Sequence, residues 1–259
     1  MGTALVTGAG HRIGRAMSLY LADRGYDVVV HYASSDKGAR ETVAMIEEKG
    51  RRGVAIQADL LEDSQTEVLF SKAAGQFDGP VTCLINNASI FEYDTVQSAT
   101  RDNWDRHMQS NLRAPFLLTQ AMAAQGLTAD QDVANEPMST GLIVNMIDQR
   151  VRKLTPEFMT YTLAKMGLWA MTRTTAQALA PAIRVNAIGP GPTLQGGRQS
   201  ADHFATQRAN TTLERGSNPQ DMTAALGYFL DAPAVTGQLL CVDGGQHLAW
   251  QTPDVLGVE

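Results

Sequence analysis

Short runs of apolar and β-branched residues, separated by longer amphipathic stretches, constrain most strongly how this 259-residue chain can fold. The runs are Ala4–Thr7, Asp27–Tyr32, Gly53–Gln57, Val81–Asn86, Leu142–Ile147, Ile183–Ile188 and Gln238–Val242. Between them lie segments with helical spacing: Ile13–Arg24, Asp36–Lys49, Ser64–Gln76, Arg101–Gln125, Phe158–Ala180 and Pro219–Leu230. Strands alternating with helices of this length predict an α/β fold, a parallel sheet covered on both faces. Right-handed crossovers make such a sheet doubly wound, and its ligands sit beyond the carboxyl ends of the strands. Chemistry is therefore expected just after each strand.

Composition narrows the function classes. Hydrophobic residues make up 44% and charged residues 19%, as in a soluble globular protein. The formal net charge of −6 offers no basic footprint for nucleic acid. No stretch reaches the ~18 apolar residues of a membrane span, and a strand opens the chain without a charged leader, so a cytoplasmic protein is expected. Cys83 and Cys241 each sit in an apolar run, the pattern of buried structural thiols. No linker divides the chain: one domain over 1–249 and a patternless tail at 250–259 are expected, with the polar stretch Gly126–Thr140 as a surface loop. No metal site is expected.

The first strand runs into Thr7-Gly8-Ala9-Gly10-His11-Arg12-Ile13-Gly14 and then into a helix. Gly8 and Gly14 allow a tight turn and close approach of a pyrophosphate, whose charge is favoured at a helix N-terminus. Arg12 among these glycines supplies planar donors for phosphate or a planar polar ligand. His11 and Ile13 fall in the same turn. After the second strand the sequence reads His31-Tyr32-Ala33-Ser34-Ser35, with no acid before Asp36. A carboxylate here would bind an NAD ribose and repel a 2′-phosphate; hydroxyls and a histidine near Arg12 suit NADP(H). Asp59-Leu60, just after the third strand, resembles the adenine-binding Asp position of the short-chain dehydrogenase/reductase family, which implies a contact with the adenine.

The motif Tyr161-Thr162-Leu163-Ala164-Lys165 puts a phenol and an ammonium on one helical face. Thirteen residues earlier, at the end of the strand containing Met146, stands Asp148. A serine there could donate a hydrogen bond to an oxyanion, whereas an ionised carboxylate can only accept. A carboxylate about 4 Å from a developing alkoxide opposes it by about 4 kcal/mol at an effective dielectric of 20, roughly a thousandfold in rate. Either Asp148 is protonated or the reducible bond is not a ketone. A C=N bond removes the conflict, because its nitrogen takes up a proton.

These motifs together resemble the short-chain dehydrogenase/reductase family from Thr3 to about Leu248. The family carries the Tyr-x-x-x-Lys pair, an Asn-Asn-Ala-Gly turn matching Asn86-Asn87-Ala88-Ser89, and a helix asparagine matching Asn111. Its nicotinamide loop matches Pro190-Gly191-Pro192-Thr193, and its last turn matches Val242-Asp243-Gly244-Gly245. The resemblance implies a Rossmann-type fold and a proton from Tyr161, with Lys165 binding the nicotinamide ribose and easing ionisation of Tyr161. Asn111 would hold a relay water, Met146 would touch the cofactor, and Leu194–Asn210 would form a mobile substrate cover. It also implies a homotetramer packed through Arg101–Gln125 and Phe158–Ala180.

Four departures from that family, Arg12, Ser89, Phe91 and Asp148, are similar to the pteridine reductase branch. In that branch a phenylalanine and the nicotinamide sandwich a flat pterin, and offset aromatic stacking contributes on the order of 1 kcal/mol. The expected substrate pocket therefore joins Arg12, Ser89, Phe91, Asp148 and Tyr161 to Pro192 and Leu194. NADPH-dependent reduction of a dihydropterin or dihydrofolate is the expected activity. A carbonyl or 3-oxoacyl reductase with a protonated Asp148 is one alternative. A silent NADP(H)-binding sensor is another, disfavoured by the intact Tyr161/Lys165 pair.

Overall fold

The computed structural model describes residues 2–197 and 199–250. The chain opens with β1 (Thr3–Val6), α1 (Arg12–Asp23), β2 (Asp27–Tyr32), α2 (Asp36–Glu48), β3 (Gly53–Gln57), α3 (Asp63–Ala74) and β4 (Val81–Asn86). Two consecutive helices, α4 (Arg101–Met108) and α5 (Ala114–Ala123), precede the two-residue strands β5 (Asp130–Gln131) and β6 (Pro137–Met138). The second half contains β7 (Gly141–Met146), α6 (Met159–Leu179), β8 (Ile183–Pro190), α7 (Ala201–Ala209), α8 (Pro219–Asp231) and β9 (Leu239–Val242).

Seven of the strands form one parallel sheet in the order β3-β2-β1-β4-β7-β8-β9. The order reverses between β1 and β4, which opens a crevice at their carboxyl ends. This is the expected Rossmann-type, doubly wound sheet. β1 and Val28-Val29-Val30 of β2 are buried throughout, as strands covered on both faces must be. On one face Met17 and Leu21 of α1 pack with Met222, Leu226 and Phe229 of α8. On the other, Leu69 and Phe70 of α3 meet Leu118 and Met122 of α5 and Ala176 of α6. Each fully buried side chain of this size contributes about 1.5–3 kcal/mol. An amide chain crosses the second face: Asn86 Nδ2 donates to Asn145 Oδ1 (2.8 Å), and Asn145 Nδ2 donates to Thr172 Oγ1 (2.9 Å). It locks β4, β7 and α6 in register where the site is built.

Element ends shift from the sequence reading by at most two residues, but three expectations change. Arg101–Gln125 is two helices joined by a π-helical turn, Gln109–Arg113, not one helix. The widened turn brings Asn111, fully buried, to the backbone of Ile90, and such turns recur where a helix must aim a side chain. Gly126–Thr140 is not wholly irregular, since β5 and β6 pair antiparallel within it. Leu194–Asn210, the segment expected to cover the substrate, contains α7, whose N-cap Ser200 accepts from His203 N–H at 3.1 Å. Both cysteines are free; Cys83 is buried, but Cys241 on the edge strand is only partly so. Residues 251–259, most of the expected tail, lie outside the described residues.

Candidate active site

The glycine-rich turn is built from both sides. Gly8 adopts φ +62°, and a Cβ on Gly14 would lie 2.3 Å from Gly8 O and 2.7 Å from Asn87 Nδ2. Only glycine fits that contact. Asn87 Nδ2 donates to Thr7 O (2.8 Å), and Thr7 Oγ1 accepts from the N–H groups of Asn87 and Ala88 (2.9 Å each). The β4 end thereby braces the β1 turn. The resulting cavity, about 520 Å³, is bordered by the turn, Tyr32, Ser34, Ser35, Asp59 and Leu60. It closes with Ala88 and Ser89, and Arg106 and Ser110 reach it from the α4 side, which sequence spacing did not reveal.

His31 requires a correction. Its Nδ1 accepts from Gly8 N–H (3.1 Å), so Nε2 carries the proton and donates to Ala58 O (3.0 Å). Burial lowers its pKa to about 4. It is a neutral brace under the turn, not a cation for a 2′-phosphate. The nearest acid, Asp36, accepts from Tyr32 Oη (2.8 Å) and Arg40 Nε (2.9 Å). Among the described residues, the acid nearest the β2 end is therefore already engaged rather than free to bind a ribose in place of a phosphate.

Arg12 is left-handed at φ 56°, a strained state for a residue with a Cβ. Its Nη1 donates to Gln195 O (2.8 Å) and its Nη2 to Leu194 O (3.0 Å). The guanidinium thus spans from the turn to the Leu194–Gln195 backbone, bordering both the first cavity and a second of about 650 Å³. Pro190, Gly191, Pro192, Thr193 and Leu194 form one wall of the second cavity.

Asp148, Gln149 and Arg150 also border this cavity, with Tyr161 and Lys165 buried behind Asp148. Asp148 caps the 3-10 turn Gln149–Val151: Oδ1 accepts from Arg150 N–H (2.8 Å), and Oδ2 accepts from Tyr161 Oη (3.0 Å). Burial raises the Asp148 carboxyl, opposed by the Arg150 backbone and charge, Tyr161 and Lys165. Burial and the Asp148 charge push Tyr161 well above its ordinary value. Arg150 and Ser89 oppose this only in part, so Tyr161 stays a phenol that donates to Asp148, and the easing of its ionisation expected from Lys165 is not seen. Lys165, 2% exposed, donates Nζ to Met146 O (2.8 Å), and burial lowers it to about 8. Met146 thus supplies a carbonyl to Lys165. Asn111 clamps Ile90, accepting from its N–H and donating to its carbonyl at 2.8 Å each.

Phe91 faces a partner that the sequence did not reveal. Phe158 stacks on it at 4.2 Å with 8° between planes, and Tyr161 meets it edge-on at 4.7 Å and 74°. Tyr93 packs edge-on against Phe158 at 5.2 Å, and the Arg150 guanidinium lies 5.0 Å from the Phe158 ring centre. Phe158 itself is left-handed, φ 54° and ψ 48°, so an aromatic residue is held in a strained backbone at the cavity wall. In the sequence it was only the first residue of a helix; nothing in its spacing distinguishes it.

A dinucleotide turn, a Tyr/Lys pair and a cavity between them define a nicotinamide-dependent oxidoreductase site. Comparison agrees. A family model described as enoyl-(acyl carrier protein) reductase matches residues 8–247. A 3-oxoacyl-[acyl-carrier-protein] reductase of Staphylococcus epidermidis is 30% identical, over 95% of this chain and 99% of its own. The crystal structure of the FolM alternative dihydrofolate reductase 1 of Brucella suis, in complex with NADP, is 42% identical. It covers 98% of both chains with a TM-score of 0.89. A blue fluorescent protein from a metagenomic library, solved with NADPH, is 32% identical over 95% of this chain and 97% of that one, with a TM-score of 0.83. The chain belongs to the short-chain dehydrogenase/reductase family, and its likeness to the dihydrofolate-reductase-named structures fits the pteridine reductase branch.

Proposed function

We propose that this chain reduces a ring C=N bond of a dihydropterin or dihydrofolate. The cofactor is NADP(H), and when bound it supplies the hydride. The carrying observation is the Asp148 carboxyl held 3.0 Å from the Tyr161 hydroxyl in a buried cleft. Joined by that hydrogen bond, Tyr161 and the raised Asp148 carboxyl form the acid pair that delivers a proton to the ring nitrogen, from Tyr161 directly or through Asp148, and solvent restores it. Lys165, anchored on Met146 O, supplies positive charge beneath the pair. Phe91, stacked on Phe158 and half-exposed, gives the cavity that Arg12 also borders an aromatic group for a flat bicyclic substrate to pack against. The likeness to a protein named alternative dihydrofolate reductase supports the same substrate class.

A protonated Asp148 could also donate to an oxyanion, so the raised carboxyl pKa favours carbonyl reduction as the second reading. The 3-oxoacyl reductase relative supports it. Purified protein with NADPH and a panel of dihydropterins, dihydrofolate and ketones separates the two, read as loss of cofactor absorbance. Turnover of the dihydropterins with kcat/KM at least about tenfold above any ketone is expected; the reverse order overturns the proposal. We further propose a homotetramer packed through α4, α5 and α6; the exposed Trp104, Phe116 and Leu163 on these helices support it. Sedimentation of a monomer would refute this.

A further inference from the structure

Beneath the aromatic wall lies a buried polar chain: Asp94, Thr160 and His107 are 0%, 2% and 0% exposed. Asp94 Oδ1 accepts from Thr160 N–H (3.2 Å), and Oδ2 accepts from the Thr160 hydroxyl in a very short bond. His107 Nδ1 stands 2.7 Å from Thr160 Oγ1, and His107 Nε2 accepts from Glu92 N–H (3.2 Å). A hydroxyl has one proton. Since Thr160 gives it to Asp94, its oxygen accepts from Nδ1–H of His107, which leaves Nε2 free to accept from Glu92. The chain runs one way, with histidine neutral.

We infer that Asp94, Thr160 and His107 are positioning residues that set Tyr161 against Phe91, and that protonation of His107 releases this setting. Helix α6 begins at Met159, and its N-cap residue, Phe158, caps nothing with its own side chain. Asp94 supplies the cap from a different loop. Its carbonyl accepts from Phe158 N–H (2.8 Å) and Met159 N–H (3.4 Å), and its carboxylate takes Thr160. Three orphan donors of the helix that carries Tyr161 are thus satisfied by the loop that carries Phe91. His107 joins α4 to both, its ring 6.0 Å from that of Tyr161. These contacts hold Phe158 in its left-handed state, and so hold its ring on Phe91.

The groups facing His107 decide its sensitivity. Burial lowers its pKa most; Asp94 and Glu92 oppose this, while Arg106 and Lys165 add to it. The uncharged Tyr161 and Thr160 complete its surroundings. Once protonated, Nε2–H points at Glu92 N–H, donor against donor, and the Glu92 contact is lost. Neutral pH keeps the chain intact; acid opens it from the Phe91 side.

The inference rests on Tyr161 as the proton donor of a reductase, not on the choice of substrate. The variants are therefore assayed on whichever compound the wild type reduces, pterin or ketone, so failure of the pterin assignment leaves this test standing. Thr160→Val removes the hydroxyl and Thr160→Ser keeps it, while His107→Gln cannot be protonated. Thr160→Val is expected to lose about tenfold or more in kcat with NADPH Kd within about twofold of wild type, and Thr160→Ser to stay within about threefold. In His107→Gln the fall in kcat on acidification below the ordinary histidine range should flatten. Equal kcat in Thr160→Val and Thr160→Ser, or an unchanged acid limb in His107→Gln, overturns the inference. Should Thr160→Val fail to bind NADPH, the pH profile of His107→Gln decides alone.

Discussion

The Tyr161 hydroxyl donates to Oδ2 of Asp148 at 3.0 Å, bringing the end of β7 against the first turn of α6. The proton donor thereby has a carboxyl as its immediate neighbour, and the first expectation follows. Asp148→Ser removes the acid but can still donate. Pterin turnover should fall about a hundredfold or more, the scale of a positioned acid, while ketone turnover stays or rises. Steady-state kinetics on both substrates checks this; unchanged pterin kcat would show that Asp148 has no part in proton delivery.

Lys165 should set the alkaline limb. Its folded pKa is lowered to about 8, so the ammonium is present below that pH and lost above it. Activity that needs the cation falls as pH rises through about 8, well below the 10.4 of a free lysine. A pH profile of kcat/KM that stays flat to pH 10 would contradict the assignment.

Phe91 should matter for binding more than for folding, because its ring is 45% exposed. Phe91→Ala removes a stacking face worth on the order of 1 kcal/mol, so KM for a dihydropterin should rise about fivefold or more. Thermal unfolding should move by only a few degrees. A large fall in Tm with unchanged KM would make Phe91 a packing residue instead.

Arg12 couples the turn to the segment proposed as a substrate cover, through the carbonyls of Leu194 and Gln195. Arg12→Gly relieves the left-handed backbone, an advantage of about 1–2 kcal/mol, while cutting both hydrogen bonds. Hydrogen exchange in the Leu194–Asn210 segment should quicken with little loss of global stability. Unaltered exchange there would mean that the cover is held by other contacts.

His31 should make stability acid-sensitive. Its folded pKa lies near 4 against 6.5 in the unfolded chain, so the unfolded state binds more protons between those values. Its contribution is complete above pH 6.5 and is lost as pH falls towards 4, amounting to roughly 3 kcal/mol. His31→Gln should flatten the dependence of unfolding free energy on pH in that window. An equal slope in both proteins would refute the neutral brace.

Strand and helix positions were readable because their apolar periodicities are local, and each strand end carries a recognisable motif. The π turn at Gln109–Arg113 was not readable: a helix with one widened turn keeps nearly the same periodicity, and only the Asn111 contact to Ile90 demands it. His31 looked like a phosphate partner until its nitrogens proved to be engaged by Gly8 and Ala58. Phe158, Arg150 and the Asp94–Thr160–His107 chain left no trace in spacing, since their partners lie on separate elements brought together by the sheet.

By itself, the sequence determined the layered α/β order, the dinucleotide turn and the identity of the reactive groups, because residue type and short spacing set these. Tertiary structure decided protonation and reach. Whether Asp148 is raised, Tyr161 kept neutral or Lys165 lowered depends on burial and on charges from other elements. Electrostatic energy in a low-dielectric cleft is a property of three-dimensional neighbours.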